Sequence, residues 1–358
     1  MKRRKPETSA PAADGINGAT ARIRAIDLLK VLALAGVVSC HSAMQADVIM
    51  GWAFPWWIRL FELAVVIAIP GFFFASGYVL LGRKAHSDYR YVARKSLALI
   101  VASFVMGFIV LGLHYISGDI PGFHIVDVAK EIGTSLLVGG TLDELWFVAA
   151  LILVYMLYPL INRIYIYNRR LFVAFTLLCL ILMAFCSSAY LLGNIGMPWY
   201  EPSVPKNLRL WNWVGYFCLG GMMRAYPAMR CVGRWWVVIP AAAATLVLNH
   251  IGLSNTGKTI FEYVYGTPAA VLLVTSVAAL LLRMDLSGRE FNFLDSVGML
   301  FFPSFLLCDC VLVILSKYNI WPHPGIFMLV NILIALTSGI AGAWVLTHTP
   351  VLKRLLRL

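Results

Sequence analysis

Two ionisable side chains lie inside the first long apolar run of the chain. Lys30 and His41 are eleven residues apart in the segment RIRAIDLLKVLALAGVVSCHSAM. On an α-helix this spacing corresponds to about 20° around the axis and about 16 Å along it, so both lie on one face. Ionisable groups in such a run usually face a cavity or a partner. An imidazole can accept a proton from a hydroxyl group or act as a nucleophile, so His41 is predicted to be a general base or a transient covalent carrier.

A structural interpretation of the same two residues is also open. Lys30 can be an interfacial lysine that extends its ammonium group toward water, and His41 can be a hydrogen-bonded packing residue. Asp27 lies one turn before Lys30 and can form an ion pair with it.

Other polar residues in apolar surroundings are further candidates. Glu144 and Trp146 stand at the start of an apolar segment and could hold an acceptor hydroxyl, although a solvated acid explains Glu144 equally well. Ser76 and Tyr78 belong to a Ser-Gly-Tyr sequence that can line a cavity but is also typical of helix packing. Asp309 is a lone carboxylate in an apolar run, which indicates a pairing partner or a proton route.

The composition shows what must position these residues. Of 358 residues, 61% are hydrophobic and 13% charged, whereas soluble domains have about 45–50% and about 25%. A soluble enzyme, a disordered chain and a secreted disulfide scaffold are therefore excluded. The net charge of +12 is explained by short basic loops rather than by a nucleic-acid partner, and the seven cysteines, which lack metal-ligand spacing, are expected to be free thiols.

Ten apolar segments are long enough to cross about 30 Å of hydrocarbon as helices. They predict an all-α, polytopic membrane bundle over residues 22–358, preceded by a disordered cytoplasmic tail over residues 1–21. The second segment contains Pro70-Gly71 and is expected to be kinked. The segments are 28–44, 57–81, 92–116, 145–166, 171–192, 210–223, 235–251, 261–282, 294–316 and 325–346.

The basic residues indicate the orientation of this bundle. With both termini in the cytoplasm, 22 of the 29 lysines and arginines fall on the cytoplasmic side and 6 on the other. The outer loops 117–144 and 193–209 combine aromatic and acidic residues, which suits a sugar ligand. Interfacial anchoring explains the aromatic residues as well.

Several motifs resemble those of a known family. The Lys-x10-His spacing resembles the first-helix signature of the acyltransferase 3 family of integral-membrane O-acyltransferases. Three stretches are similar to further family motifs in the same order: PGFFFASGYVLLGRK from Pro70, ELWFVAALILVYMLYPL from Glu144 and VGYFCLGGMMR from Val214. The sequence departs from the family in MLFFPSFLLCDC, where Cys308 stands near the position of a late histidine. In length, and in having no appended periplasmic domain, the chain resembles the enterobacterial common antigen O-acetyltransferase type most.

The resemblance implies transfer of an acyl group, usually acetyl from cytoplasmic acetyl-CoA, to a glycan hydroxyl on the outer side. It maps the family's first-helix basic residue to Lys30 and its essential histidine to His41. Arg94 or Lys95 stands for the first member of a later arginine pair, whereas Ala98 occupies the second position. Lys30, Arg94 and Lys95 could bind CoA phosphates as point charges, although Arg94 and Lys95 are equally well explained as markers of the cytoplasmic side.

These observations predict a bacterial inner-membrane O-acyltransferase. Its donor substrate would be acetyl-CoA, its acceptor a lipid-linked or polymeric surface glycan, and its surroundings membrane lipid, with no bound cofactor or metal. The alternative is a carrier or flippase for a lipid-linked glycan or a small acyl compound, with His41 and Asp309 coupling transport to protons. Internal repeats would favour the carrier, and the sequence shows none.

Overall fold

The computed structural model describes residues 23–50, 59–83, 88–116, 118, 124–137, 142, 145–191, 204–256, 264–288, 292–317 and 324–348. The predicted tail and Glu144 lie outside these residues. Within them the chain forms helices and no strand. The helices are α1 (Arg24–Met50), α2 (Arg59–Leu80), α3 (Tyr89–Ile116), α4 (Ile125–Leu137), α5 (Leu145–Tyr167), α6 (Arg169–Leu191), α7 (Leu210–Ala225), α8 (Trp235–Thr256), α9 (Pro268–Leu281), α10 (Asn292–Lys317) and α11 (Pro324–His348), with 3₁₀ helices at Lys206–Leu208 and Pro227–Val232.

The all-α membrane fold is confirmed, and each of the ten predicted segments overlaps one helix. Seven of the described helices are long and apolar enough to cross a membrane: α1, α2, α3, α5, α6, α8 and α11. That α7, α9 and α10 also span it stays a prediction.

Helix α9 begins at Pro268 because the Thr267 hydroxyl accepts a hydrogen bond from the Ala270 amide (3.3 Å) and Pro268 needs no donor at the first helical position. Helix α2 continues through Pro70 without interruption.

Glycines let α1, α2 and α7 approach at backbone distance. A methyl group added at Gly36 would overlap the Ala64 carbonyl of α2. One added at Gly77 would overlap the Phe217 carbonyl of α7. Small residues at such crossings are how membrane helices pack without a hydrophobic driving force. The Ser-Gly-Tyr sequence therefore does contribute to helix packing, as one of its two interpretations predicted.

The carboxyl end of α2 is fixed by a side chain from α7. Arg224 donates from Nη1 to the carbonyl oxygens of Leu81 (3.0 Å), Tyr78 (3.2 Å) and Val79 (3.2 Å). The last carbonyls of a helix have no intrahelical partner, and a guanidinium cation also complements the negative end of the helix dipole. Arg224 thereby sets the position of Tyr78.

Helix α5 holds the turn that follows α2. The Asn162 amide accepts a hydrogen bond from the Gly82 N–H (2.7 Å) and donates to the Arg83 carbonyl (3.0 Å), and the Tyr158 hydroxyl donates to the Leu80 carbonyl (3.1 Å). Gly82 has a φ of +87°, which a residue with a side chain rarely adopts. Side chains from two helices, α5 and α7, therefore converge on the end of α2.

Candidate functional site

An open cleft of about 890 Å³ lies where α1 begins and α2 and α9 end. Its walls include Arg24 at the start of α1, Tyr78 near the end of α2, Arg230 in the second 3₁₀ helix, and Met284 and Ser287 after α9. This volume is in the upper range of ligand-binding pockets. We call this end of the bundle the basic face; it carries Arg24, Arg83, Arg224, Arg230 and Arg283.

Arg24 builds one wall of the cleft. Its Nη1 donates to the carbonyl oxygens of Leu286 (2.9 Å), Gly288 (3.1 Å) and Ser287 (3.2 Å), and its Nη2 donates to Asn292 Oδ1 (2.7 Å). These bonds tie the start of α1 to the segment between α9 and α10. Arg24 therefore has a structural function that uses both of its terminal nitrogens.

Arg230 also lines the cleft. Its Nη2 donates to the hydroxyl of Tyr78 (3.1 Å), and the Tyr78 side chain is buried. The Nε atom of Arg230 is buried and has no hydrogen-bond partner among the described residues. Arg230 therefore has N–H donors that are not hydrogen-bonded to the described part of the chain, whereas both terminal nitrogens of Arg24 are. Of these two arginines that line the cleft, Arg230 is the better able to bind an anion.

Asp285 is the one acidic residue in the described segment that follows α9, residues 282–288, and it lies near the cleft. The hydroxyl of Ser287 donates to Asp285 Oδ1 (2.7 Å), and the Ser287 N–H donates to the same atom (3.1 Å). These two hydrogen bonds hold the pKa of the Asp285 carboxyl below its ordinary value, and the bond from the hydroxyl has the larger effect. Asp285 is exposed and shapes the turn that presents its carbonyls to Arg24.

Lys30 forms an ion pair on α1. Its Nζ lies 3.3 Å from Asp27 Oδ1, and the two side chains are 26% and 6% exposed. The pairing that the sequence left open is therefore present. Lys30 is not among the residues that line the described cleft, and its donor-binding role stays a prediction.

His41 lies half-buried farther along α1. The rise of an α-helix places it about 25 Å from Arg24. Beside it, the Ser42 hydroxyl donates to the Met328 carbonyl of α11 (3.2 Å), which holds this part of α1 against α11. His41 thus lies in the bundle at a depth between the basic face and the opposite end.

The two basic residues of α3 lie outside the described cleft. Arg94 is exposed, with its Nε 3.5 Å from the Arg90 carbonyl. The Lys95 ammonium lies 6.0 Å from the centroid of the Tyr91 ring. Because α3 packs on α4, α5 and α10, these charges occupy a different part of the basic face from Arg230.

Trp146 belongs to a cluster of aromatic rings inside the bundle. Its ring centroid is 5.3 Å from that of Trp213, which in turn stacks on Phe73 at 5.1 Å. The Lys206 ammonium lies 5.9 Å from the Trp146 ring. Half-buried Trp146 therefore connects the aromatic interior with the segment before α7.

Ser76 and Asp309 occupy separate places. The Ser76 side chain lies beside Tyr155 of α5. Asp309 is half-buried and lines a cavity of about 20 Å³ together with Gly107 and Leu145. Of the predicted residues that the structure describes, Tyr78 thus lies at the cleft and the others are distributed along the bundle.

Sequence reasoning did not single out Arg230. Arg224, Arg230 and Arg234 follow the Phe-x-x-Gly stretch closely in sequence, and all three were explained by the preference for positive charge on the cytoplasmic side. That clustering was the available signal, but only the structure shows that Arg230 reaches Tyr78 while Arg224 caps α2.

The comparisons with known proteins agree with the membrane architecture. A family model described as an acyltransferase domain, of the acyltransferase 3 type, matches residues 23–348. No curated protein and no solved structure matches the chain.

Proposed function

Because the chain belongs to the acyltransferase 3 family of membrane acyltransferases, we propose that it transfers an acetyl group from acetyl-CoA to a hydroxyl group of a cell-surface or lipid-linked glycan. The observation that carries this proposal is the open cleft at the basic face, in which Arg230 donates a hydrogen bond to the Tyr78 hydroxyl. The cleft lies at the start of α1, the helix that also contains His41.

The cleft has the chemistry of a donor site. A CoA molecule presents phosphate groups at one end and a thioester at the other, so it needs cations at the entrance and a route into the bundle. Arg230 has donor capacity for phosphate, and Leu282 and Met284 supply apolar lining. The preference for positive charge on the cytoplasmic side supports an orientation with the basic face in the compartment that holds acetyl-CoA.

His41 is the proposed general base. It removes the proton from the acceptor hydroxyl, the oxygen attacks the thioester carbonyl, and the carbon–sulfur bond then breaks. The CoA thiolate leaves and takes a proton, so the products are an O-acetyl ester and free CoA. The position of His41, about 25 Å along α1 from Arg24, suits an extended donor whose phosphates remain in the cleft.

The acceptor is proposed to enter from the end at which α5 begins. Trp146 is half-buried there beside Lys206, and an aromatic ring can stack on the apolar face of a sugar. The identity of the glycan, and the resemblance to the enterobacterial common antigen type, stay predictions. Mass spectrometry of surface glycans from cells with and without the gene would identify the acetylated sugar.

A native cysteine can report donor binding in the cleft. Cys231 is exposed and directly follows Arg230. We expect CoA at ten times its Kd to slow maleimide labelling of Cys231 in the purified protein about tenfold, because only the unoccupied protein then reacts. A Cys231→Ser variant identifies the labelled site.

Two arginine variants test whether the protection arises in the cleft. Arg230→Gln should raise the CoA concentration for half-protection about tenfold, since it removes a charge-assisted hydrogen bond. Arg234→Gln is the matched control, because its guanidinium lies over Trp236, 4.9 Å from the ring centroid, and it should leave protection unchanged. Labelling of wild-type Cys231 that is insensitive to CoA would contradict the donor site.

Lys30 allows a separate test of donor binding against ion pairing. Lys30→Ala removes the ammonium partner of Asp27 and should cost about 1–3 kcal/mol of stability. The double variant Asp27→Ala/Lys30→Ala should recover most of that stability. If Lys30 also binds the donor, KM for acetyl-CoA rises about tenfold in both variants; a KM that returns to the wild-type value in the double variant would leave Lys30 with the pairing alone.

A further inference from the structure

A second opening on the basic face lies between the start of α3 and the end of α5. It has a volume of about 490 Å³ and is lined by Tyr89 from α3 and by Leu160, Arg163 and Tyr167 from α5, among others. No residue that lines it also lines the donor cleft. We call it the α3–α5 groove.

The polar end of the groove presents one guanidinium group. Arg163 is exposed and makes no hydrogen bond or ion pair with the described part of the chain. Asn162 also lines the groove, but its amide is engaged by the backbone of Gly82 and Arg83. Arg163 is therefore the cation that the groove offers to a ligand.

The surroundings of Arg163 favour an anion. Arg90 and Arg94 are exposed on the first turns of α3, which adds positive charge to this edge of the basic face. Asp88 is the acidic residue next to Tyr89, and its carboxylate accepts a hydrogen bond from the Tyr91 N–H (3.0 Å). It thereby closes the first turn of α3. The described charges around the groove are predominantly basic.

The other end of the groove continues into an apolar, exposed surface. Met156, Leu160, Arg163 and Tyr167 are spaced by three or four residues, so they lie on one face of α5. Met156 and Leu160 are 54% and 56% exposed, and Tyr167 is 81% exposed. Along this face a charge near the end of the helix is followed inward by aliphatic side chains that no described helix covers.

We propose that the α3–α5 groove binds an anionic phospholipid. Its phosphate group is held by Arg163 with the hydroxyls of Tyr89 and Tyr167 beside it, and one acyl chain lies along Leu160 and Met156. Tyrosines at helix ends are typical of the headgroup level of a bilayer, and basic residues at that level attract anionic lipids. A free phosphate ion would use Arg163 but not the aliphatic stripe, which is why the lipid is the better occupant.

Lipid counting by native mass spectrometry tests this site without an activity measurement. The purified protein in detergent is titrated with phosphatidylglycerol or with phosphatidylcholine of the same acyl chains. We expect tighter binding of phosphatidylglycerol, and Arg163→Gln should weaken it about fivefold, the effect of one arginine near an anionic headgroup. Arg163→Lys should retain most of the binding because it keeps the charge.

The matched control is Arg170→Gln, which removes an exposed arginine at the same end of the bundle outside the groove. It should leave phosphatidylglycerol binding unchanged. Equal binding of the two lipids, or equal loss in both glutamine variants, would overturn the proposal. Displacement of the lipid by millimolar glycerol phosphate would show a site for free phosphates and would also overturn it. None of these outcomes bears on acetyl transfer, so the proposed function is tested independently.

Discussion

His41→Ala lowers the rate of acetyl transfer by about 10²–10⁴-fold, the usual contribution of a general base. The expected loss follows from the proposed chemistry, because alanine cannot accept the hydroxyl proton while the rest of α1 is unchanged. The measurement is transfer of radiolabel from acetyl-CoA to the glycan acceptor by purified protein in liposomes. Cys231 protection by CoA should persist in this variant, since the proposed phosphate site lies about 25 Å away along α1.

Ser42→Ala is the matched control for His41→Ala. Ser42 is the next residue on α1 and donates to the Met328 carbonyl, so its loss should cost about 1 kcal/mol of stability with little change in rate. Equal amounts of all variants in the membrane fraction must be verified. Acetyl transfer at the wild-type rate by His41→Ala would remove this residue from the chemistry.

Gly77→Ala should prevent stable packing of α2 against α7. The added methyl group would overlap the Phe217 carbonyl, which belongs to the helix backbone and cannot rotate away as a side chain can. Overpacking at such a site costs about 1–3 kcal/mol or more. We expect a lower thermal midpoint of the purified protein and less protein in the membrane fraction, together with loss of CoA protection, because the same crossing positions Tyr78.

Gly133→Ala provides the comparison for Gly77→Ala. Gly133 lies in α4, and a methyl group there would meet no atom within 4 Å. Replacing a helical glycine in open space should raise stability by about 0.5–1 kcal/mol. If both alanine variants have the thermal midpoint of the wild type, α2 and α7 do not cross at backbone distance.

The transmembrane helices were predictable because each is a long apolar run. Helix α4 was not predicted, and residues 117–144 were interpreted as an outer loop, since thirteen residues with polar positions cannot span a bilayer. Its buried residues, Val128, Ile132 and Ser135, are spaced by three and four. This amphipathic pattern was present in the sequence, but a search for spanning segments does not detect it.

The contacts of the candidate site were predictable from the sequence only where the two residues are close together in the chain. Lys30 and Asp27 are three residues apart, so their ion pair could be foreseen from helix geometry. The cleft combines Arg24, Tyr78, Arg230 and the segment after α9, and no periodic pattern relates residues so far apart in the chain. Cys308, which the resemblance puts near a late histidine of the family, is buried, and its thiol donates to the Ala335 carbonyl (3.2 Å), which joins α10 to α11.

The fate of the acetyl group distinguishes acyl transfer from transport. Liposomes containing the protein and the glycan acceptor are given radiolabelled acetyl-CoA on the side of the basic face, and both the label and free CoA are followed. We expect the wild-type protein to release free CoA and to place the label on the glycan as an alkali-labile ester, whereas His41→Ala should do neither. Passage of the glycan or of a small acyl compound across the bilayer, with acetyl-CoA left intact, would contradict acyl transfer and establish a carrier instead.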